Sequence, residues 1–293
     1  MAGAAAALSM PLGARLDDLG FAEADRQAAL DAAPAALESS DILSAVERFA
    51  DRLRGGMGAF PGDDGDTNPW AGYQPGDDPL GAGVVPLLAL VATSDDLAAF
   101  HRRRGVPAAI SARTMTELGQ QAWVHRRTFG EFGLHTYGWM TVSWSGSLYW
   151  LGRLQFNLFR LDGEWVCSTH IPQTGPLDPA SVDDSFRRAA EFFPRYFGDR
   201  AVQDFWCDSW LLDPELAASL APESNISRFQ RRWRICGEPK PGDADALFFT
   251  FARRGTVDLD ALARDTSLQR AVIDRLQSGG HWQVRQGRIP MAG

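Results

Sequence analysis

Apolar residues recur at three-and-four spacing through the first 130 positions, and that spacing predicts helices. LDDLGFAEADRQAALDAAPAAL (16–37) and SSDILSAVERFADRLRGG (39–56) both carry it. In the second stretch Ser40 or Asp41 is placed to cap the N-terminus, and Gly55–Gly56 to end the helix. The next stretch, 59–83, is dense in Gly, Pro and Asp and predicts turns, so it reads as a flexible insertion or lid. Its Asp63, Asp64 and Asp66 resemble a calcium loop, but the spacing and the closing Glu are missing. Helical periodicity resumes over 84–105, with Ser94 as a cap inside it, and continues through 110–130.

Near Tyr137 the period changes to alternation. WMTVSWSG (139–146), SLYWLGRLQFNLFRL (147–161) and EWVCSTH (164–170) are rich in β-favouring residues. A Ser-Gly turn joins the first pair, and Asp162-Gly163, a strong hairpin signal, joins the second. The pattern predicts a three-stranded antiparallel meander over 139–170. Asp178-Pro179 then opens a helix that ends near Pro194, with Asp as cap and Pro at the first helical position. A strand over 202–212 follows, then short helices from Pro214 and Ser224, strands at 234–237 and 246–253, a helix capped by Asp265 and closed by Gly279-Gly280, and a last strand over 281–289. A helix between two strands of one sheet needs a crossover, which implies a parallel pair inside an otherwise antiparallel sheet. The chain therefore reads as a helical N-terminal domain (1–135, with the 59–83 insertion) followed by an α+β or α/β domain (136–293) with helices on a mixed sheet.

Charge narrows the partners. A net charge of −8 disfavours nucleic acid and anionic membranes, which need a clustered cationic surface. Cys167, Cys207 and Cys236 form no CxxC pair and leave one unpaired, as in a reducing cytoplasm. The alanine run near the start lacks the basic flank of a secretory signal, and no stretch reaches the roughly 18 apolar residues of a membrane helix. The expectation is a soluble cytoplasmic protein. The sequence leaves the oligomeric state open.

Six motifs carry a family resemblance: GWM at 138–140, LGRLQF at 151–156, HIPQTGPL at 170–177, SWLLDPEL at 209–216, SNISRFQRR at 224–232 and DTSLQRAVIDRL at 265–276. Together they resemble the actinobacterial acyltransferase domain-containing proteins, in which a helical N-acyltransferase domain precedes a GNAT-like C-terminal domain. The resemblance implies a GNAT-like fold. It also implies that acetyl-CoA or another acyl-CoA enters where strand 164–170 parts from strand 202–212, with the pyrophosphate at the turn 171–178. Backbone groups of Thr169, Ile171, Gln173, Thr174 and Gly175 would then hold the donor.

The chemistry of that turn reads two ways. A helix N-terminus suits a phosphate, but Gly175 is a single glycine, Pro176 has no N–H, and Asp178, Asp183 and Asp184 place negative charge at the helix start. The turn is either a capped helix start or a modified cradle for acyl-CoA or for an acyl carrier's phosphopantetheine.

Alternation puts Arg153, Gln155 and Asn157 on one strand face, where they either line a cavity or meet water. Arg153 and Gln155 are candidates to contact the acceptor or the carbonyl. Asp208 falls between Trp206 and Trp210 on one face of the 202–212 strand, a costly place for a carboxylate unless it is paired or held protonated. Acyl transfer to an amine needs a base, for which Asp208 is the first candidate and His170 the second; the bland reading of Asp208 is an ion pair with an arginine such as Arg153. Cys207 could act as an acid or carry an acyl group, although a cysteine in an apolar strand is more often core. No GxSxG, HExxH or metal-ligand spacing of the five histidines supports a hydrolase or a metal enzyme. The expected function is transfer of an acyl group from acyl-CoA to an amine on a small molecule. The alternatives are a non-catalytic small-ligand-binding protein on the same GNAT-like fold, and an interaction module built on the tryptophan-rich segment 139–150.

Overall fold

The computed structural model describes residues 3–9, 11–63 and 68–291. They form two compact units: residues up to Trp150 together with Asn157–Asp162, and Leu151–Phe156 together with the chain from Gly163 onward.

The first unit is helical: α1 (Ala4–Ser9), α2 (Leu12–Asp18), α3 (Glu23–Glu38), α4 (Ser40–Gly56), α5 (Val84–Ala92), α6 (Ser94–Arg103), α7 (Ala108–Met115), α8 (Glu117–Phe129) and α9 (Tyr137–Trp144). Every residue of α5 is buried, so it is the core helix. Against it α4 turns Val46, Phe49, Ala50 and Leu53, an apolar stripe one helix face wide. Ser39 rather than Ser40 or Asp41 caps α4, accepting from the Ile42 N–H at 3.4 Å. Arg126 of α8 reaches the fully buried Asp25 of α3 at 2.5 Å, so that this interior carboxylate is paired. No single helix among the described residues is long and apolar enough to cross a membrane.

The segment expected to be a flexible insertion is tied down where it is described. Trp70 Nε1 donates to Thr141 Oγ1 at 2.8 Å, and Arg52 donates to the carbonyl of Ala71 at 2.8 Å. The Asp78 carboxylate accepts from the Tyr73 hydroxyl and from the N–H groups of Leu80 and Val85. Of the three aspartates resembling a calcium loop, Asp63 accepts from the Phe60 N–H, and Asp64 and Asp66 lie outside the described residues.

Segment 139–146, expected as a strand, is the helix α9. Its buried residues Met140, Ser143 and Trp144 stand at three-and-four spacing, and packing against α4 and α5 overrides the β preference of its aromatic and branched side chains. The meander starts later, with β1 (Leu148–Leu151), β2 (Leu154–Leu161) and β3 (Glu164–His170). What read as one strand over 147–161 is broken at Gly152, whose φ of 79° only glycine adopts without strain, and where a side chain would meet Ser185 Oγ at 2.7 Å. At the second turn Asp162 and Gly163 both have positive φ (51° and 87°), as the two-residue hairpin requires.

The remaining elements are α10 (Pro179–Tyr196), β4 (Asp204–Ser209), α11 (Pro214–Ser219), α12 (Asn225–Gln230), β5 (Arg234–Pro241), α13 (Asp243–Phe251), α14 (Ser267–Gln277) and β6 (Gln283–Pro290). The strand order is β1-β2-β3-β4-β6-β5, with β3 and β4 parallel and β6 antiparallel to both β4 and β5. The crossover through α10 thus yields the expected parallel pair in a mainly antiparallel sheet. α10 runs on through Pro194 to Tyr196, and Thr266, not Asp265, caps α14 in a reciprocal capping box with Gln269. Segment 246–253, expected as a strand, is α13. Phe156, Phe186, Phe205 and Trp233 pack edge-on or tilted, with ring centroids 4.8–5.8 Å apart, where α10 covers the sheet.

Candidate functional site

The parallel pair holds register at Val166↔Asp204, Cys167↔Phe205 and Ser168↔Trp206. Both strands run on beyond that point, β3 to His170 and β4 to Ser209, but they no longer pair with each other. β4 stays fastened on its other side, with Cys207↔Gly287, Asp208↔Gln286 and Ser209↔Arg285. The sheet therefore opens between Thr169–His170 and Cys207–Ser209, and the turn 171–178 leads from this opening into α10.

The start of α10 is closed to a phosphate. The Asp178 carboxylate accepts from the N–H groups of Ala180 and Ser181, and Pro179 has none. Of the three carboxylates expected to repel a diphosphate, Asp183 and Asp184 are, however, paired with arginines. Arg232 holds Asp183 at 2.6 Å, while Arg187 and Arg188 clasp Asp184 and hold its carboxyl below the usual carboxylate range. Within the turn, Gly175 has φ 132° and open space on its side-chain face. Thr174 N–H is spent on the Pro172 carbonyl, and Gln173 Nε2 donates to the Phe249 carbonyl of α13 at 2.7 Å.

Arg153 stands in the β1–β2 turn, not on the strand face where alternation put it beside Gln155 and Asn157, because the chain bends at Gly152. Its N–H donates to Ser185 Oγ at 2.8 Å. Its guanidinium donates from Nε to the Pro176 carbonyl at 2.9 Å and from Nη2 to the Gly175 carbonyl at 2.6 Å, while Nη1 is buried without a hydrogen-bond partner. Arg153 thus fixes the turn 171–178, a role that only the three-dimensional path of the chain reveals. Gln155 and Asn157 are both buried, so their face does not meet water, and they fall in different units.

Asp208 is partly exposed and accepts from Lys240 Nζ at 2.8 Å and from Gln286 Nε2 at 3.2 Å. Its ion-pair partner is thus a lysine and not Arg153. Lys240 is the one lysine in the chain. Trp210 does not share a face with Asp208, because β4 ends at Ser209, whose hydroxyl accepts from the Leu211 N–H and starts a 3₁₀ turn. Trp210 instead packs edge-on against Trp282 in the core. Cys207 is buried, and burial, with the Asp208 carboxylate adding to it, pushes its thiol well up, so the sulfur stays protonated at neutral pH. Burial pushes the His170 imidazole down to about 4, which keeps it neutral across the physiological range. Thr169, next to it, is buried, and its hydroxyl has no hydrogen-bond partner. Ile171 is half-buried, and Thr174 is exposed.

The opening leaves the facing backbone edges of β3 and β4 without each other as partners, and an extended arm can lie between them. Helix-dipole capture of a diphosphate does not fit, whereas the open face at Gly175 and the unrepelled turn do fit a modified cradle.

Two family models divide the chain. Residues 10–146 match the N-acyltransferase N-terminal domain, and residues 148–289 match the GNAT-like C-terminal domain. Among solved structures, an acyltransferase in complex with decanoyl-CoA aligns with a TM-score of 0.86 at 34% identity, covering 94% of this chain and 85% of that one. A mutant acyltransferase in complex with octanoyl-CoA aligns at 0.84 and 33%, covering 94% and 86%. A third structure, an acyltransferase in complex with decanoyl-CoA and teicoplanin, aligns at 0.82 and 32% with the same coverage. No curated protein matches. The chain belongs to the acyltransferases that join an N-acyltransferase N-terminal domain to a GNAT-like C-terminal domain.

Proposed function

We propose that the protein transfers an acyl group from acyl-CoA to an amine of a small molecule. The observation that carries this reading is the parting of β3 and β4 beyond Ser168↔Trp206, which opens the sheet next to His170. The thioester arm lies in that opening, and the turn 171–178, held by Arg153, lies along the diphosphate through its remaining amides. The acceptor amine attacks the thioester carbonyl directly, and the thiol of CoA leaves. His170, held neutral by burial, accepts the N–H of the acceptor and relays the proton it sheds to the departing sulfur, so that CoA leaves as the thiol. Asp208 exchanges its Lys240 partner for the incoming ammonium. Cys207, buried and protonated, carries no acyl group.

Decanoyl-CoA and octanoyl-CoA, held by the aligned structures, are the donors to try first, and teicoplanin is the first acceptor. We place the protein in the cytoplasm of an actinobacterium, and its three free cysteines fit a reducing compartment. The test is release of free CoA thiol on mixing donor, acceptor and protein. His170→Ala is expected to lower kcat by about 10²–10⁴-fold with donor affinity retained. Donor binding without thiol release, whatever amine is offered, would leave a ligand-binding protein on an acyltransferase fold.

A further inference from the structure

α13 ends beside the turn 171–178, and its last turn carries an unusual group of side chains. Phe248 is buried, but its neighbour Phe249 is 48% exposed, making it the one exposed large apolar side chain among the described residues of the second unit. The Gln173–Phe249 hydrogen bond sets this exposed ring one contact away from the turn. Past Phe251 the chain turns at Ala252, a buried non-glycine residue with φ 54°. That left-handed geometry is disfavoured for a residue with a Cβ, and the fold maintains it. It delivers Arg253 and Arg254 to the surface, and the Arg254 guanidinium lies 3.8 Å from the centroid of Phe248, the ring whose centroid is 5.0 Å from that of Phe249.

These two arginines have no carboxylate partner among the described residues. The adjacent pair Arg187–Arg188 is bound to Asp184, and Arg232 of the pair Arg231–Arg232 is bound to Asp183. Neither Arg253 nor Arg254 closes an ion pair with a described residue, although Asp245 lies close enough for the Arg254 charge to act on it. An exposed aromatic face beside two adjacent cations is the chemistry that recognises a purine nucleotide carrying a phosphomonoester. The ring stacks on the base, and the guanidinium groups take the phosphate.

We propose that Phe249, Arg253 and Arg254 seat the nucleotide end of the donor, with adenine on the Phe249 ring and the ribose 3′-phosphate on the two arginines. This rests on the reading of the protein as an acyl-CoA-dependent acyltransferase. It makes the protein selective for a donor bearing adenosine 3′-phosphate over one ending in 4′-phosphopantetheine, such as an acyl carrier.

Calorimetric titration with CoA, dephospho-CoA and 4′-phosphopantetheine tests it. The wild type is expected to bind CoA at least about tenfold more tightly than dephospho-CoA, given two charge-assisted contacts. The double variant Arg253→Gln/Arg254→Gln should bind the two equally. Phe249→Ala should lose about tenfold for CoA and nothing for 4′-phosphopantetheine. Because Arg254 rests on a buried ring, Arg253→Gln alone serves as a second variant; it should lose part of the discrimination with an unchanged melting temperature. CoA binding that none of these substitutions alters would overturn the subsite and leave the acyl-CoA reading standing. A wild type that binds no CoA but accepts an acyl carrier would overturn both.

Discussion

His101 is sealed inside the first unit with its Nδ1 2.8 Å from Ser111 Oγ, and burial pushes its imidazole down to about 4. In the unfolded chain the same group titrates near 6.5. Between those values the unfolded state binds more protons than the folded one, so stability is full above about pH 6.5 and falls as the pH drops towards 4. The slope from this one residue is about 1.4 kcal/mol per pH unit, and the whole loss is of order 3 kcal/mol. His170, shifted the same way, adds to the trend. Urea unfolding at pH 7 and pH 5 should show the loss, and His101→Phe should flatten the dependence, whatever it does to stability at pH 7. An unchanged slope in that variant would mean that His101 does not titrate across the range. Arg153 is a different case, since it touches no reacting group in the proposed mechanism. Arg153→Lys keeps the charge but cannot donate from two fork positions to the Gly175 and Pro176 carbonyls. Its expected effect is a higher KM for acyl-CoA with kcat nearly unchanged; a fall in kcat alone would put the residue at the chemistry instead.

The β1–β2 hairpin turns on Gly152, where positive φ and Ser185 Oγ at 2.7 Å both exclude a side chain. Gly152→Ala should cost roughly 1–3 kcal/mol in chemical denaturation. It should also weaken donor binding, because Ser185 and Arg153 are positioned through the same turn. Local chemistry made several elements legible in the sequence. Asp178-Pro179 and Asp162-Gly163 specify a cap and a hairpin by their own geometry, and the crossover followed from element order. The misread elements are those whose outcome depends on what they pack against. In 139–146 the aromatic and branched residues favour a strand in isolation, yet Met140, Ser143 and Trp144 bury one helical face. In 246–253 a run of phenylalanines suits either state. The helix forms after Gly242, with Asp243 and Asp245 in its first turn and the Asp243 carboxylate accepting from the Trp282 N–H at 2.6 Å. Of the site, the opening beside His170 could be anticipated, whereas the Asp208–Lys240 pair and the Arg153 staple join residues far apart in sequence, and no spacing rule reports them.

At the scale of the whole molecule, a net charge of −8 gives an anionic donor no general attraction, so recognition falls to local groups whose neighbours have been neutralised. Asp183 and Asp184 show that neutralisation in detail. A catalyst that brings thioesters and amines together is surrounded by its own side chains. All but one of its 29 lysine and arginine residues are arginine, whose guanidinium stays charged and does not compete as a nucleophile. Lys240 is the only side-chain amine that self-acylation could consume. In the resting protein Asp208 holds it as an ammonium partner, so the chain can work among activated acyl groups with almost nothing of itself to lose to them.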